Sequence, residues 1–97
     1  IFMSVYFVAQ IKVNDEKEYE RYLEKCDEVF AGYNGEYLAA DLNPETIEGK
    51  WDYDRMILIK FPDKRSFEEW YYSEEYKNIL KHRLKGADCI TVLADGK

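Results

Sequence analysis

The segment from Met56 to Phe61 restricts the fold more than any other part of this sequence, because it predicts a strand that is apolar on both faces. Successive side chains of a strand point to opposite faces, so Met56 and Leu58 share one face while Ile57, Ile59 and Phe61 share the other. An antiparallel sheet usually has one face in water, and its strands then alternate between apolar and polar residues. This strand therefore predicts a sheet that is covered on both sides.

Hydrophobic spacing and capping residues predict a strand and a helix before that segment. The strand runs from about Val5 to Val13, and Asn14 or Asp15 caps the helix that follows. Its apolar residues recur at steps of three and four, which places them on one face of the helix. This predicted stripe consists of Tyr19, Tyr22, Leu23, Cys26, Phe30 and Tyr33.

The other elements complete the order strand, helix, strand, strand, helix, strand. We expect strands at about 36–42 and 89–94, and a helix that starts at Asp63, is interrupted and capped again by Ser73, and ends at Gly86. Its inward side is predicted to hold Phe67, Trp70, Tyr71, Tyr76, Ile79, Leu80, Arg83 and Leu84. This order predicts an α+β domain of the ferredoxin-like βαββαβ type, in which two helices cover one face of a four-stranded antiparallel sheet.

The aromatic content indicates that something else covers the second face of the sheet. Aromatic residues form 16% of the chain and include nine tyrosines. A domain of this size buries only ~60–65% of its unfolded surface, so this many rings strain the capacity of one core. Either several rings lie on the surface, or a second surface covers them. On the face away from the helices we predict Tyr6, Val8, Leu38, Ala40, Thr91 and Leu93. We therefore expect a homodimer whose two sheets pack face to face as a dimeric α/β barrel.

Length and composition exclude several classes of function. The 97 residues form one domain, which we place at 3–97 because we take Met3, after Ile1 and Phe2, as the native start. A net charge of -6 argues against a nucleic-acid partner, and no apolar run approaches the ~20 residues of a membrane span. Two cysteines favour a cytoplasmic protein without a disulfide framework. A single histidine and the lack of a phosphate-binding loop predict neither a metal site nor a cofactor.

The first candidate site is the group Glu48, Trp51 and Arg55, which precedes the central strand. A carboxylate, an indole and a guanidinium together could recognise a small polar ligand, since arginine binds carboxylates through two parallel hydrogen bonds. The other interpretation is a loop that is held by a Glu48–Arg55 ion pair and anchored by Trp51. The sequence leaves both open.

The second candidate site lies at the break in the last helix. Trp70, Tyr71, Ser73 and Tyr76 could line a pocket, although core packing around a capping serine explains them as well. Arg83, on the inward stripe, needs a partner if it is buried. It either reaches a carboxylate such as Glu48 or Asp88, or it projects into a polar cavity.

Several of these segments resemble a bacterial domain-of-unknown-function family, the one numbered 1330, within the dimeric α/β-barrel superfamily. The resemblance rests on Glu48-Gly49-Lys50-Trp51, Arg55, Phe61-Pro62, the stretch from Trp70 to Tyr76, Arg83, and the first strand from Tyr6 to Ile11. It implies the ferredoxin-like fold and the homodimer, but no settled activity. The chain departs from that family at Asp41-Leu42, where many relatives have arginine and glycine, and at Tyr53, where proline is common.

The superfamily includes cofactor-independent monooxygenases and small-ring isomerases with a pocket between sheet and helices. The resemblance thus implies a small-molecule-binding protein or cofactor-independent enzyme. Arg55 or Arg83 would hold a substrate anion, and Glu48 would act as a base. The pocket walls would include Trp51, Trp70, Tyr71, Ser73 and Tyr76.

Two further functions are open. One is a structural or regulatory homodimer without chemistry. The other is haem degradation, because the superfamily includes haem-degrading members. Gln10, Trp70 and His82 would be the counterparts of the residues those members use, although His82 lies off the inward stripe of its helix.

Overall fold

The computed structural model describes residues 3–97, so the expectation about Ile1 and Phe2 lies outside the described residues. Four strands and three helices follow one another along the chain: β1 Val5–Val13, α1 Glu16–Phe30, β2 Glu36–Asp41, β3 Arg55–Phe61, α2 Lys64–Tyr71, α3 Glu74–Gly86 and β4 Ala87–Asp95. The second predicted helix is thus two helices, α2 and α3, divided at Tyr72 and Ser73. The predicted α+β class and the βαββαβ order are confirmed.

The four strands form one antiparallel sheet in the order β2-β3-β1-β4. In its central row, Val8 of β1 lies opposite Leu58 of β3 on one side and Val92 of β4 on the other. An irregularity between Tyr37 and Ala39 shifts the register of β2 against β3. Because β1 and β3 lie in the middle of the sheet, their inward-facing side chains are buried under the helices.

Each helix begins at a side-chain cap that the sequence predicts. The carboxylate of Asp15 accepts from the Glu18 amide at 3.2 Å, which decides between Asn14 and Asp15 as the cap of α1. Asp63 caps α2 and Ser73 caps α3 in the same way. The cap at Ser73 lets the chain turn between α2 and α3 while both keep an apolar face on the sheet.

The core lies between the helices and one face of the sheet, and it is rich in aromatic rings. Phe61 is fully buried, and Trp70 stacks on it with ring centroids 5.5 Å apart. The Trp70 ring also lies 4.3 Å from that of Tyr76. Phe7 and Phe30 complete the group around Trp70. Both α2 and α3 are therefore fixed to the sheet through one indole.

The outer face of the sheet is apolar, but its β4 residues differ from those predicted. Thr91 pairs with Ala9 and Leu93 with Phe7, both of which face the helices, so Thr91 and Leu93 face the helices too. Ala40 also faces the helices, because it pairs with Ile57. The outer positions of β4 belong instead to residues that are 52% and 55% exposed, Ile90 and Val92.

Two leucines of the predicted inward stripes are also placed outside the core. Leu23 is 45% exposed and Leu84 is 61% exposed. Each follows directly on a buried residue, Tyr22 or Arg83, and one residue turns a helix by ~100°. The buried stripe of both helices is thus narrower than the hydrophobic spacing predicts.

Candidate functional site

A small chamber lies between the sheet and the inner faces of α1 and α3. Its volume is about 60 Å³. Its walls are formed by Phe7, Ala9, Ile11, Tyr19, Tyr22, Leu23, Cys26, Tyr37, Ile57, Ile59, Trp70, Tyr76 and Arg83. We call it the inner chamber. Apart from one guanidinium, its wall carries no charged side chain.

Arg83 brings a permanent positive charge to the inner chamber. The residue is only 2% exposed, and none of Nε, Nη1 and Nη2 makes a hydrogen bond of normal geometry, although the Tyr76 hydroxyl and the Cys89 thiol are its polar neighbours. The guanidinium carbon lies 5.8 Å from the centre of the Tyr22 ring. Within residues 3–97, no carboxylate oxygen lies within 4.0 Å of this guanidinium. Since arginine does not lose its proton in proteins, an unpaired charge is buried here.

Two tyrosine hydroxyls lie in the same wall. The hydroxyls of Tyr22 and Tyr76 are 2.7 Å apart and share a hydrogen bond. Burial raises the pKa of both groups, and for Tyr22 the neighbouring Tyr76 raises it further. Both hydroxyls are therefore protonated at neutral pH. Because one of them donates to the other, the second retains a proton that it can donate to another group.

Trp70 adds a further donor to this wall. Its indole Nε1 is buried without a hydrogen-bond partner. Indole nitrogen only donates, as does the guanidinium. The inner chamber is therefore lined by several donors and by no carboxylate, and this combination fits an acceptor that carries negative charge.

A wider cleft of about 380 Å³ adjoins the inner chamber. We call it the outer cleft. It shares Tyr19, Leu23, Cys26, Tyr37 and Ile57 with the inner chamber, and the rest of its wall is formed by Asp27, Ala40, Leu42 and Arg55. Arg55 is half-buried, its Nε has no partner, and its guanidinium carbon lies 5.1 Å from the centre of the Tyr19 ring. The two spaces therefore lie side by side, with five wall residues in common.

The structure brings four of the eight predicted site residues into this region. Trp70, Tyr76 and Arg83 line the inner chamber, and Arg55 lines the outer cleft. Arg83 lines a cavity, but the wall of this cavity is mostly aromatic and aliphatic, whereas the second predicted arrangement had a polar cavity. In the described part of the chain it pairs with neither Glu48 nor Asp88.

Glu48 and Trp51 lie on the other side of the sheet. They line a groove of about 460 Å³ together with Gln10 and Met56, whose side chains belong to the outer face. The indole Nε1 of Trp51 donates to Oε1 of Gln10 at 3.0 Å. Glu48 is exposed and makes no ion pair with Arg55 among residues 3–97. The predicted catalytic set of Glu48, Arg55 and Arg83 is therefore not assembled in one place.

Ser73 and Tyr71 have other contacts. The Ser73 hydroxyl donates to the Trp70 carbonyl at 2.8 Å and accepts from the Tyr76 amide at 3.1 Å, so both of its roles serve the helix junction. The Tyr71 ring stacks on Phe67 at 5.3 Å and lines a separate surface groove beside β4. Neither residue lines the inner chamber or the outer cleft.

Sequence reasoning missed Tyr19, Tyr22 and Tyr37 as site residues, since it placed the first two in the core stripe of α1. The available signal was their hydroxyl groups, because a buried tyrosine requires a hydrogen-bond partner. Cys26, in the same wall, has a pKa that burial raises to about 11. Its thiol therefore stays protonated at neutral pH and is not an activated nucleophile.

His82 joins α3 to α1 outside this region. Its Nδ1 pairs with Oε2 of Glu18, and this hydrogen bond lowers the pKa of the Glu18 carboxyl. The three residues considered for haem degradation are also dispersed. Gln10 is on the outer face, Trp70 is under the helices, and His82 is in this helix–helix contact. They do not form one site.

Two further kinds of feature are absent from residues 3–97. Three or more histidine, cysteine, aspartate or glutamate side chains do not come together there as metal ligands. No helix in that range has the length and apolar character that a membrane span needs.

The sequence profile of DUF1330, a domain of unknown function, matches residues 4–97. The chain belongs to the DUF1330 family. This confirms the resemblance that the motifs around Trp51 and Trp70 indicated. No curated protein matches the chain by sequence.

Solved structures similar to this DUF1330 chain share its fold at low sequence identity. RPA0582 of Rhodopseudomonas palustris, of unknown function, has a TM-score of 0.78 at 16% identity, over 96% of this chain and 82% of its own. SnoaB of Streptomyces nogalater, described as a cofactor-independent oxygenase, has a TM-score of 0.71 at 16% sequence identity. The match covers 98% of this chain and 94% of SnoaB. A dimeric ferredoxin-like protein of unknown function from Thermobifida fusca has a TM-score of 0.67 at 16% sequence identity. The match covers 95% of this chain and 90% of that protein. At such identities the likeness shows the ferredoxin-like fold.

Proposed function

We propose that this DUF1330 chain is a homodimer that binds a small organic anion between its sheet and its helices, with Arg83 as the partner of the anionic group. The observation that carries the proposal is the buried guanidinium, which is 2% exposed and has three nitrogens without partners. An isolated buried charge is costly, so such a group is retained where something else neutralises it. A ligand with a carboxylate or a similar group supplies that neutralisation.

The dimensions of the two spaces suit a ligand with a charged end and an apolar body. The inner chamber, at about 60 Å³, has room for a group of carboxylate size beside Arg83. The outer cleft is six times larger and its wall is mainly apolar and aromatic, as is usual for organic ligands. In this arrangement the ligand enters past Leu23 and Tyr37 with its anionic end first.

The same donors support a reaction without a cofactor. Arg83 and the spare proton of the Tyr22–Tyr76 pair would stabilise negative charge that develops on a carbonyl oxygen of the ligand. SnoaB, which has a similar fold, is described as a cofactor-independent oxygenase, so this fold is compatible with a reaction of that kind. Glu48 as a base stays a prediction, which its place on the outer face does not favour.

The dimer in this proposal forms through the outer face of the sheet. The row Val92–Val8–Leu58 is apolar, and in the next row Gln10 lies between the exposed Ile90 and the half-buried Met56. Apolar rows of this kind gain stability when a second sheet covers them. The Thermobifida fusca protein, with the same fold, is described as dimeric.

A non-catalytic homodimer is the second candidate, and the size of the inner chamber favours it. Metabolite pockets usually have ~300–1,000 Å³, whereas the inner chamber alone has about 60 Å³. If the outer cleft took up no ligand, the chain would be a structural or regulatory dimer.

Native mass spectrometry on gently purified protein separates the two candidates, with Arg83→Met beside the wild type and Arg65→Gln as the control. Arg65 is exposed on α2 and pairs with Glu69. We expect a dimer that carries a small-molecule adduct or gains one when hexanoate is added. The adduct should persist in Arg65→Gln and be lost in Arg83→Met. A wild-type dimer that takes up no carboxylate would favour the non-catalytic dimer. An adduct that survives in Arg83→Met would overturn Arg83 as the partner of the anionic group.

A further inference from the structure

Arg55 is a second unpaired arginine, in the wall of the outer cleft rather than in that of the inner chamber. It begins β3 and pairs with Ile11, so its side chain lies on the helix-facing side of the sheet. Its Nε is buried without a partner. The wall of the outer cleft contains a single carboxylate, Asp27, which lies beyond ion-pair distance of Arg55. The positive charge of Arg55 is thus not neutralised within the described chain.

A pair of tyrosine rings connects the two guanidinium groups. Arg55 lies over the Tyr19 ring at 5.1 Å, and Arg83 lies over the Tyr22 ring at 5.8 Å. These rings neighbour each other on α1, with centroids 5.8 Å apart. The inner chamber and the outer cleft also have Tyr19 in common. A single extended molecule can therefore lie along this aromatic wall and reach both arginines.

We propose that the ligand carries two anionic groups, one held by Arg83 in the inner chamber and the other by Arg55 in the outer cleft. This inference rests on the proposed function and specifies its ligand as a dicarboxylate or a molecule with an equivalent pair of acidic groups. A ligand with one anionic group neutralises Arg83 and leaves the Arg55 Nε without an acceptor. A second carboxylate supplies that acceptor, and guanidinium binds carboxylate through two parallel, charge-assisted hydrogen bonds.

Isothermal titration calorimetry with two matched series of probes tests the inference. The first series is the straight-chain α,ω-dicarboxylates from succinate to suberate, and the second is their monomethyl esters. We expect that a dicarboxylate of one preferred length binds at least about tenfold more tightly than its own ester. A preferred length follows because both arginines are fixed on regular secondary structure.

Variants identify which arginine holds the second group. Arg55→Gln should lower the affinity for the preferred dicarboxylate to that of the ester and leave the affinity for the ester unchanged. Arg55→Lys, which keeps the charge but not the paired hydrogen bonds, should give an intermediate loss. Arg65→Gln removes the same charge from an exposed site that is 88% accessible, and it should change neither affinity.

The possible failures are distinct. Dicarboxylates that bind no more tightly than their esters, while Arg83→Met abolishes binding of both, would overturn the second anionic group and leave the proposed function intact. A tenfold preference that persists in Arg55→Gln would likewise overturn the role of Arg55. Absence of binding throughout both series would overturn the proposed function and this inference with it.

Discussion

The two faces of the sheet differ in what their side chains lack: hydrogen-bond acceptors on the helix side, and apolar contacts on the outer side. Under the helices, three side chains have buried nitrogens without partners, Arg55, Trp70 and Arg83. On the outer face, the indole of Trp51 is satisfied by Gln10, while Ile90 and Val92 leave about half of their surface in water. One side therefore lacks hydrogen-bond acceptors, and the other lacks apolar cover.

This difference separates two kinds of partner. Unpaired donors in a small enclosed space call for a ligand with negative charge. An apolar row of side chains on a sheet face gains cover when another surface of the same kind packs against it. A substitution on the outer face should therefore change dimerisation and not ligand binding, and a substitution under the helices should do the reverse. The following variants test that separation.

The largest effect is expected from Val8→Glu at the centre of the outer face. Val8 lies between Leu58 and Val92, so a carboxylate there would be buried without a partner in a face-to-face dimer. An unpaired buried charge costs several kcal/mol, which weakens association at least about 100-fold. Sedimentation velocity should show a monomer at micromolar concentration. Asn78→Glu, on the exposed side of α3, adds the same charge and should remain dimeric. A dimeric Val8→Glu protein would place the interface elsewhere.

Arg83→Met should give the next largest effect, and it should be a gain in stability. The methionine retains the apolar stem and removes a charge that has no partner in the chain. Replacing buried charge by apolar groups of similar shape is often stabilising, and we expect about 1–3 kcal/mol in urea unfolding of the ligand-free protein. The dimer should be unaffected. A loss of stability would show that Arg83 has a stabilising contact, and would weaken the case for a ligand.

A smaller effect is expected at the tyrosine pair of the inner chamber. Tyr22→Phe or Tyr76→Phe leaves the other buried hydroxyl without its 2.7 Å partner, which should cost about 1–2 kcal/mol. The double variant should lose less than the sum of the two single variants, with a coupling of about 1 kcal/mol in chemical denaturation. Strict additivity would mean that the two hydroxyls do not interact, and that the inner chamber has no organised donor pair.

The smallest effect concerns the contact between α1 and α3, away from both faces. The hydrogen bond from His82 lowers the folded-state pKa of Glu18 below the ordinary 4.5. A depressed carboxyl pKa contributes stability above the unfolded value, and that contribution is lost as the pH falls through the folded value. The Tm of the wild type should therefore fall more steeply below about pH 4.5 than that of Glu18→Gln. Glu20→Gln, on the exposed side of α1, should keep the wild-type slope. Equal slopes for all three proteins would contradict this contact.

The sequence contained enough information for the fold because the periods of its strands and helices are unambiguous. The alternation along β1, the two apolar faces of β3, and the caps at Asp63 and Ser73 all agree with the structure. The face of β4 was not predictable in this way. Both of its alternating sets are apolar, and only the pairing of Thr91 with Ala9 decides which set faces the helices.

The site was only partly predictable, because nearness in sequence is a poor guide across a sheet. Trp51 and Arg55 are four positions apart, yet the loop before β3 leads to the outer face while Arg55 points under the helices. Arg83 was recognisable as an anomaly, since it occupies an apolar stripe. Its neighbours Tyr19 and Tyr22 differ from the other residues of the apolar stripe only in their hydroxyl groups, since α1 buries one side along most of its length.

The most direct test of the central claim observes the Arg83 guanidinium itself. In protein labelled with ¹⁵N at arginine, the Nε–H signal that is missing from the Arg83→Met spectrum belongs to Arg83. Titration with hexanoate should shift this signal in a saturable manner and leave that of Arg65 in place, because only Arg83 lies in the inner chamber. An Arg83 signal that stays unchanged up to millimolar hexanoate and adipate would contradict the account that this buried charge is the anchor of an anionic ligand.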